Sequence, residues 1–555
     1  TIFLDPTNVG TGQFANNSLV FDGLLGGGEI LTFGSDITLS GSGLIEARDA
    51  GDALRILGTV AGQSTAGVLN VRDIDNGGAA LLVDTTAGAV ALGGRVRDAE
   101  INGANPTTEV SIENGAVFQG VTLGADARIE TQGAARSMRV EDGLALDQAT
   151  LTLAGAGTVE AQVTFTGAQA VTGTGEIRLS PENAGLDGTA QNTLRFDGLL
   201  ASAELLTFGA GITLSGQGNI TAIDSGDALR ILGQVAGEGL GLGLSDIDNG
   251  GAALMVSSSQ GAVFLNGDIT DTVLTGASAS DEVSLFAATL TRVTLDLDAD
   301  LGTQDATVFD GLTLNATLDL AGSRQDDAFL TLLGAQTIGG TGTIRLGTDN
   351  LLGLPDTTAN QIRFDGVFER AETVSFGSDL TIVGTGLVDA LDAGDEIDLD
   401  GTAIADGGRL LFSGLGTLDG TLGAEQGSVL EVQNALQLSP QAVLEIALGG
   451  AGDAASAGVI EVTGPLALGG TLRLDVAAGF AAETGTEFRI VSASEGFTGN
   501  FAGLAGFDFP GAQGFHLVTD GDDLVLRVVE GAAIGTVIDR AALPPEPDLP
   551  VLSGR

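Results

Sequence analysis

Phe21-Asp22-Gly23, followed by Phe33-Gly34, is written three times in this chain: it returns as Phe196-Asp197-Gly198 with Phe208-Gly209, and as Phe364-Asp365-Gly366 with Phe376-Gly377. The copies lie about 170 residues apart and keep the same internal spacing. The likeness extends into Asp49-Ala50-Gly51-Asp52, Asp224-Ser225-Gly226-Asp227 and Asp392-Ala393-Gly394-Asp395. The first two copies also share Asp73-Ile74-Asp75-Asn76-Gly77-Gly78 and Asp246-Ile247-Asp248-Asn249-Gly250-Gly251. Fixed self-similarity marks a repeat architecture, in which each unit buries its apolar face only by stacking on its neighbours.

Working outward, the segments around these motifs are strands. Ser18-Leu19-Val20-Phe21, Ile30-Leu31-Thr32-Phe33 and Ile37-Thr38-Leu39 are short apolar or alternating runs bounded by Gly, Asp and Asn. The second copy repeats them as Thr193-Leu194-Arg195-Phe196, Leu205-Leu206-Thr207-Phe208 and Ile212-Thr213-Leu214. No long segment combines helical periodicity with capping signals. A Gly-x-Gly-x-aliphatic element recurs, for example at Gly41, Gly173, Gly216, Gly340 and Gly384. Two of its gaps correspond to about two turns of about 22 residues, which predicts an all-β chain wound as a parallel β-helix, a β-solenoid with adjacent turns roughly 4.8 Å apart. In such a coil Gly takes the corners, aliphatic side chains point inward at every second position, and Asn17, Asn192 and Asn360 mark one repeated corner. A phosphate-binding loop would need a strand-to-helix context and usually a Lys, and neither is present.

Composition agrees. At 555 residues the chain exceeds one ordinary globular core, and 43% apolar content excludes a disordered polyanion. Gly, at 88 residues, is about twice its usual share of roughly 7%, while Pro is scarce at 11. Trp and Tyr are absent. The formal charge is −51, from 73 acidic and 22 basic residues, all of the latter Arg. Such a surface is repelled by nucleic acid and anionic lipid and attracts cations. With no Cys there is no disulfide framework and no thiol chemistry. No apolar run of about 18 residues is present to span a bilayer as a helix. A start at Thr1 without Met reads as a processed, exported product.

The repeats set the expected organisation. A solenoid should occupy 1–411, with copies at about 14–188, 189–356 and a truncated 357–411. From Phe412 the strands lengthen, as in Val443-Leu444-Glu445-Ile446-Ala447-Leu448, and 412–530 reads as a distinct β-rich C-terminal region. Residues 531–555, with Pro544-Pro545-Glu546-Pro547, read as a Pro-rich linker or docking strand.

Part of that C-terminal region resembles a known family. Leu444-Glu445-Ile446-Ala447-Leu448-Gly449-Gly450, Ile460-Glu461-Val462-Thr463-Gly464 and Leu468-Gly469-Gly470-Thr471-Leu472 are similar to the distal passenger region of bacterial autotransporter-type adhesins. Phe488-Arg489-Ile490-Val491, Phe497-Thr498-Gly499-Asn500-Phe501 and Asp523-Leu524-Val525-Leu526 continue the likeness. The resemblance implies a β-helical passenger that is secreted or displayed on the bacterial surface. It points to location more than to function.

The residues available for chemistry narrow the choices. A single histidine, His516, with no Cys, Tyr or Lys excludes most nucleophile-His and zinc arrangements. Arg55 and Arg230 follow the repeated Asp motifs at the same offset, and Asp398 replaces them in the third copy. A catalytic centre duplicated in this way is improbable, so the expectation is a non-enzyme. The acidic corners are the candidate metal ligands, for Ca²⁺: Asp49 and Asp52, Asp73 and Asp75, Asp224 and Asp227, Asp246 and Asp248, and Asp392 and Asp395. Ca²⁺ takes about six to eight oxygens, and each motif offers about three or four. The functional expectation is a secreted structural protein whose partners are copies of itself, building a filament, layer or adhesive matrix. The alternatives are a monomeric adhesin binding cell-surface glycans and a polysaccharide-degrading β-helix enzyme, which would use paired carboxylates.

Overall fold

The computed structural model describes the chain except residues 5–16, 25–27, 64–66, 132, 157, 182–191, 200–202, 323–326, 348–359, 368–370, 453–454, 508–512, 531–533 and 540–555. Of Gln513 and Ile534–Asp539 it describes the backbone alone. The chain is 68% strand with no α-helix among the described residues, wound as a β-solenoid of about 17 turns. It divides into two compact units, Thr1–Asp298 and Ala299–Arg555. That division falls inside the second sequence copy.

In the first unit every strand ladder among the described residues is parallel, and strands pair with the strand one turn further along the sequence. Thr38 pairs with Thr59 and Thr59 with Leu82; later, Leu242 pairs with Val263 and Ile247 with Ile269. These steps match the predicted turn of about 22 residues. Others are much longer: Ile177 pairs with Leu214, and in the second unit Thr343 pairs with Thr381. Each long turn opens a sequence copy, and its extra residues include segments outside the described ones. A uniform period would therefore have packed more turns into the chain.

Alternation explains the interior. In Asn192–Asp197 every second side chain, Asn192, Leu194 and Phe196, is buried, while Thr193, Arg195 and Asp197 face outward. Stacking turn on turn then lines the coil with Leu, Ile, Val and Phe, and burial of each such side chain is worth about 1.5–3 kcal/mol. The Gly-x-Gly elements sit where two turns approach most closely. Gly216 and Gly218 hold φ of 111° and 149°, and a Cβ on Gly216 would run into the carbonyl oxygen of Leu179.

The second unit continues in the same manner. Parallel pairing runs from Ala299 with Leu318 to Thr471 with Gly503, with one short antiparallel pairing inserted, Leu448–Gly449 with Ser456–Ala457. Residue 412 is no break: Arg409–Phe412 pairs in parallel with Val429–Val432, as the preceding turns do. The expected lengthening of strands at 412 is not seen: among the described residues no later strand exceeds eight residues, against 19 for Arg136–Ala154, and what lengthens is the turn, as from Val443 to Thr471 and Ile460 to Val491. The pattern changes later, where Glu487–Ala493 pairs antiparallel with Asp523–Glu530, itself antiparallel to Gln513–Asp520. Part of the expected tail belongs to this cap, because Ile534–Asp539 pairs in parallel with His516–Thr519 of the same chain. The Pro-rich stretch 544–550 lies outside the described residues.

Candidate functional site

The acidic corners are built once per copy, but not as the sequence pairs them. The first Asp of each Asp-x-Gly-Asp turn points outward; Asp224 and Asp392 are exposed and Asp49 is half-buried. The second points inward, and Asp52, Asp227 and Asp395 are only 4%, 4% and 6% exposed. A backbone turn links each couple, with the Asp52 amide donating to the Asp49 carbonyl, and likewise 227 to 224 and 395 to 392.

Each inward Asp meets a glutamate from the preceding turn. Asp52 Oδ1 accepts from the Glu29 amide at 2.9 Å, Asp227 Oδ1 from Glu204 at 2.9 Å, and Asp395 Oδ1 from Glu372 at 3.0 Å. The Glu carboxylates fold back onto the same place, where Glu372 Oε2 accepts from the Val367 amide at 2.8 Å and Glu204 Oε2 from the Leu199 amide. Both carboxylates close on the glycine of the Phe-Asp-Gly motif. A Cβ on Gly23 would overlap Glu29 Oε2 and Asp52 Oδ2 together, and one on Gly198 would meet Asp227 Oδ2 and Glu204 Oε2. On Gly366 it would lie 2.6 Å from Asp395 Oδ2 and 3.1 Å from Glu372 Oε2. Glycine is thus needed at this corner for space, in all three copies. Glu29, Glu204 and Glu372 were not among the sequence candidates. The signal was present, since each stands four residues before the second repeated Phe.

Asp73, Asp75 and Asn76, with Asp246, Asp248 and Asn249, shape a different corner. Asn76 is buried and clamps a backbone strand: its Oδ1 accepts from Ile56 N at 2.8 Å and its Nδ2 donates to Ile56 O at 2.9 Å. Asn249 does the same to Ile231, at 2.7 and 2.8 Å. Asp75 and Asp248 each accept from the amide two residues on, and each pairs with an arginine, Arg55 and Arg230, at 3.8 Å. Asp73 and Asp246 hold φ of 58° and 59°, and each accepts from an amide of the next turn. These groups serve the turn, and Arg55 and Arg230 are held against it by donating to the Asp75 and Asp248 carbonyls.

Among the described residues, the three carboxylates that come within metal-ligand reach of one another are Asp398, Asp400 and Asp419, on the outer surface. Asp398 occupies the place of Arg55 and Arg230. Burial, and then the neighbouring Asp400, push its carboxyl above the usual range. Elsewhere, arginines bridge outward carboxylates on successive turns. Arg409 reaches Glu431 and Glu461, Arg489 reaches Glu461 at 2.8 Å, and Arg95 reaches Glu141 at 2.9 Å. His516 is half-buried in the antiparallel cap opposite Arg527, and burial, then that guanidinium, keep its imidazole below the usual range.

Two surfaces offer binding. A shallow depression of about 390 Å³ in the first unit has Gly243 at its floor, between Asn219 and Phe264 in one register column. Leu240 and Phe286, 62% and 50% exposed, border it with Asn266. The second surface is an edge. Ile2–Leu4, Ser18–Phe21 and Ile30–Phe33 pair on one side only among the described residues, with Thr38–Gly41, Gly43–Ala47 and Ala53–Ile56. Phe3 is 54% exposed there, and Ile2 and Ile30 are exposed beside it. Phe21 is only half-buried, whereas its counterparts Phe196 and Phe364 are fully covered.

No known family model matches this chain, and no curated protein matches its sequence.

Proposed function

We propose that this protein is a structural, non-catalytic solenoid of the bacterial exterior that associates with copies of itself. The observation that carries the reading is the edge of the first described turn, whose strands pair on one side only among the described residues. That edge carries exposed Ile2, Phe3 and Ile30. An exposed apolar strand edge is a template for another strand, and β-strand addition supplies affinity through main-chain hydrogen bonds. Surface location rests on the resemblance of 444–528 to adhesin passengers and on the acidic, Cys-free composition. A role without catalysis rests on the one-histidine inventory and on Arg55 and Arg230 being held in turns. Negative-stain electron microscopy of the purified chain tests the reading: end-to-end assemblies are expected, and dispersed single particles at every concentration would reject it.

A second reading is favoured by the Gly243 depression. Phe264 and Phe286 line it together with Asn219 and Asn266, a combination of rings and amides suited to a sugar's apolar face and hydroxyls. Calorimetric titration with neutral oligosaccharides, repeated on Phe286→Ala, tests it. Binding by the native chain that the variant loses supports a glycan site, and no heat with either rejects it.

A further inference from the structure

We propose that the Glu-Asp pairs at the Phe-Asp-Gly corners hold a calcium ion, one per repeat copy. Two carboxylates converge on one glycine in each copy: Glu29 with Asp52, Glu204 with Asp227, and Glu372 with Asp395. In the third copy both side chains are more than nine-tenths buried, Glu372 at 6% and Asp395 at 6% exposed. Among the described residues, no arginine forms an ion pair with Asp52, Asp227, Glu372 or Asp395. Two like charges drawn out of water into one small space need a compensating positive charge.

The hydrogen bonds show where that charge belongs. Backbone amides occupy Oδ1 of each Asp and Oε2 of Glu204 and Glu372. Asp52 Oδ2 and Asp395 Oδ2, both fully shielded from solvent, accept no hydrogen bond at all, and both aim into the space kept open by Gly23 and Gly366. A buried acceptor without a partner is costly, and a cation bound there removes the cost. The second copy differs in one respect, because Asp227 Oδ2 accepts from the Gly198 amide at 3.1 Å. That site is therefore the weakest of the three. The donor set is all oxygen, which selects a hard cation. The irregular corner suits Ca²⁺, which completes its shell from carbonyls and water, better than Mg²⁺, which demands octahedral geometry.

This inference is independent of self-association. Chelator-stripped protein at pH 7.5 is dialysed to equilibrium against ⁴⁵Ca²⁺, and its melting is followed in CaCl₂ and in MgCl₂. At least two Ca²⁺ per chain are expected, with Tm raised by about 5 °C in millimolar CaCl₂ and much less in MgCl₂. The double variant Asp52→Asn/Asp395→Asn should lose those two equivalents and the rise in Tm. Glu372→Gln alone should lose one equivalent, which keeps the test decisive if the double variant folds poorly. No bound Ca²⁺ in the native chain overturns the proposal, and so does binding that survives both variants. Stripped protein that is indifferent to calcium but steadily less stable as pH rises would show each pair sharing a proton instead, and would equally overturn it.

Discussion

Phe165 and Phe196 are register partners on successive turns, and both rings are fully buried. Phe196 is held on its other side by Ala222, whereas Phe21, its counterpart one copy earlier, has Ala47 alone among the described residues. Equivalent residues therefore differ in what their removal costs. Phe196→Ala should lower the unfolding free energy of the first unit by about 3–5 kcal/mol, the usual cost of emptying a sealed aromatic site. Phe21→Ala should cost about half as much, because part of its ring is already in water. Urea denaturation of the two variants compares them directly, and equal losses would contradict the difference in burial between the two rings.

Asn249 tests the corner clamp. Its amide satisfies both backbone groups of Ile231 from inside the coil. Asn249→Ala should cost about 2–3 kcal/mol, since it strands a buried amide and carbonyl. Asn249→Asp should be nearly as damaging at neutral pH, because a carboxylate cannot donate to the Ile231 carbonyl. Urea midpoints at pH 7 provide the measurement.

Asp281 sets an acid-sensitive contact. Burial alone would raise its carboxyl, but hydrogen bonds from the Ser258 and Ser278 amides, at 2.8 and 2.6 Å, outweigh it and leave the group below the usual range. A carboxyl depressed in the folded state contributes stability above its unfolded pKa and loses it as pH falls through the folded value. Asp281→Asn should therefore be destabilised relative to the native chain at pH 7. The gap should narrow as pH is lowered past the ordinary carboxylate range, and a gap constant from pH 7 to about pH 2 would contradict this.

Asp398 has the opposite sign. Its carboxyl is raised, so its ionisation at neutral pH opposes folding, and stability is recovered as pH falls. Asp398→Arg restores the residue type that the first two copies carry and places a cation beside Asp400 and Asp419. A gain of about 0.5–1 kcal/mol at pH 7 is expected after solvent screening, shrinking in acid, read as an increase in Tm.

The fold was legible because a stacked coil repeats its constraints. Side chains alternate along each strand, and every turn must cover the one before, so Phe21, Phe196 and Phe364 return with their neighbours intact. Gly216 and Gly218 were recognisable as corner glycines for the same reason. Turn length was less legible. The long turns from Ile177 to Leu214 and from Thr343 to Thr381 absorb extra residues without altering the ladders on either side. Lengthened turns also made 412 look like a boundary that the pairing of Arg409–Phe412 does not respect. The acidic corners were half legible. The repeated Asp residues were visible, but reading them as neighbours three apart missed that Asp52 and Asp49 face opposite ways. The partner of Asp52 is Glu29, 23 residues away in sequence and one turn away in space.

The central claim is that the edge strands Ile2–Leu4, Ser18–Phe21 and Ile30–Phe33 join one copy to another. Sedimentation velocity across a hundredfold range of concentration tests it most directly, with Phe3→Asp/Ile30→Asp run in parallel. Native protein should move from the 55.3 kDa monomer to a ladder of larger species, while the double variant stays monomeric with unchanged circular dichroism. A native chain that sediments as a single 55.3 kDa species throughout would contradict the account.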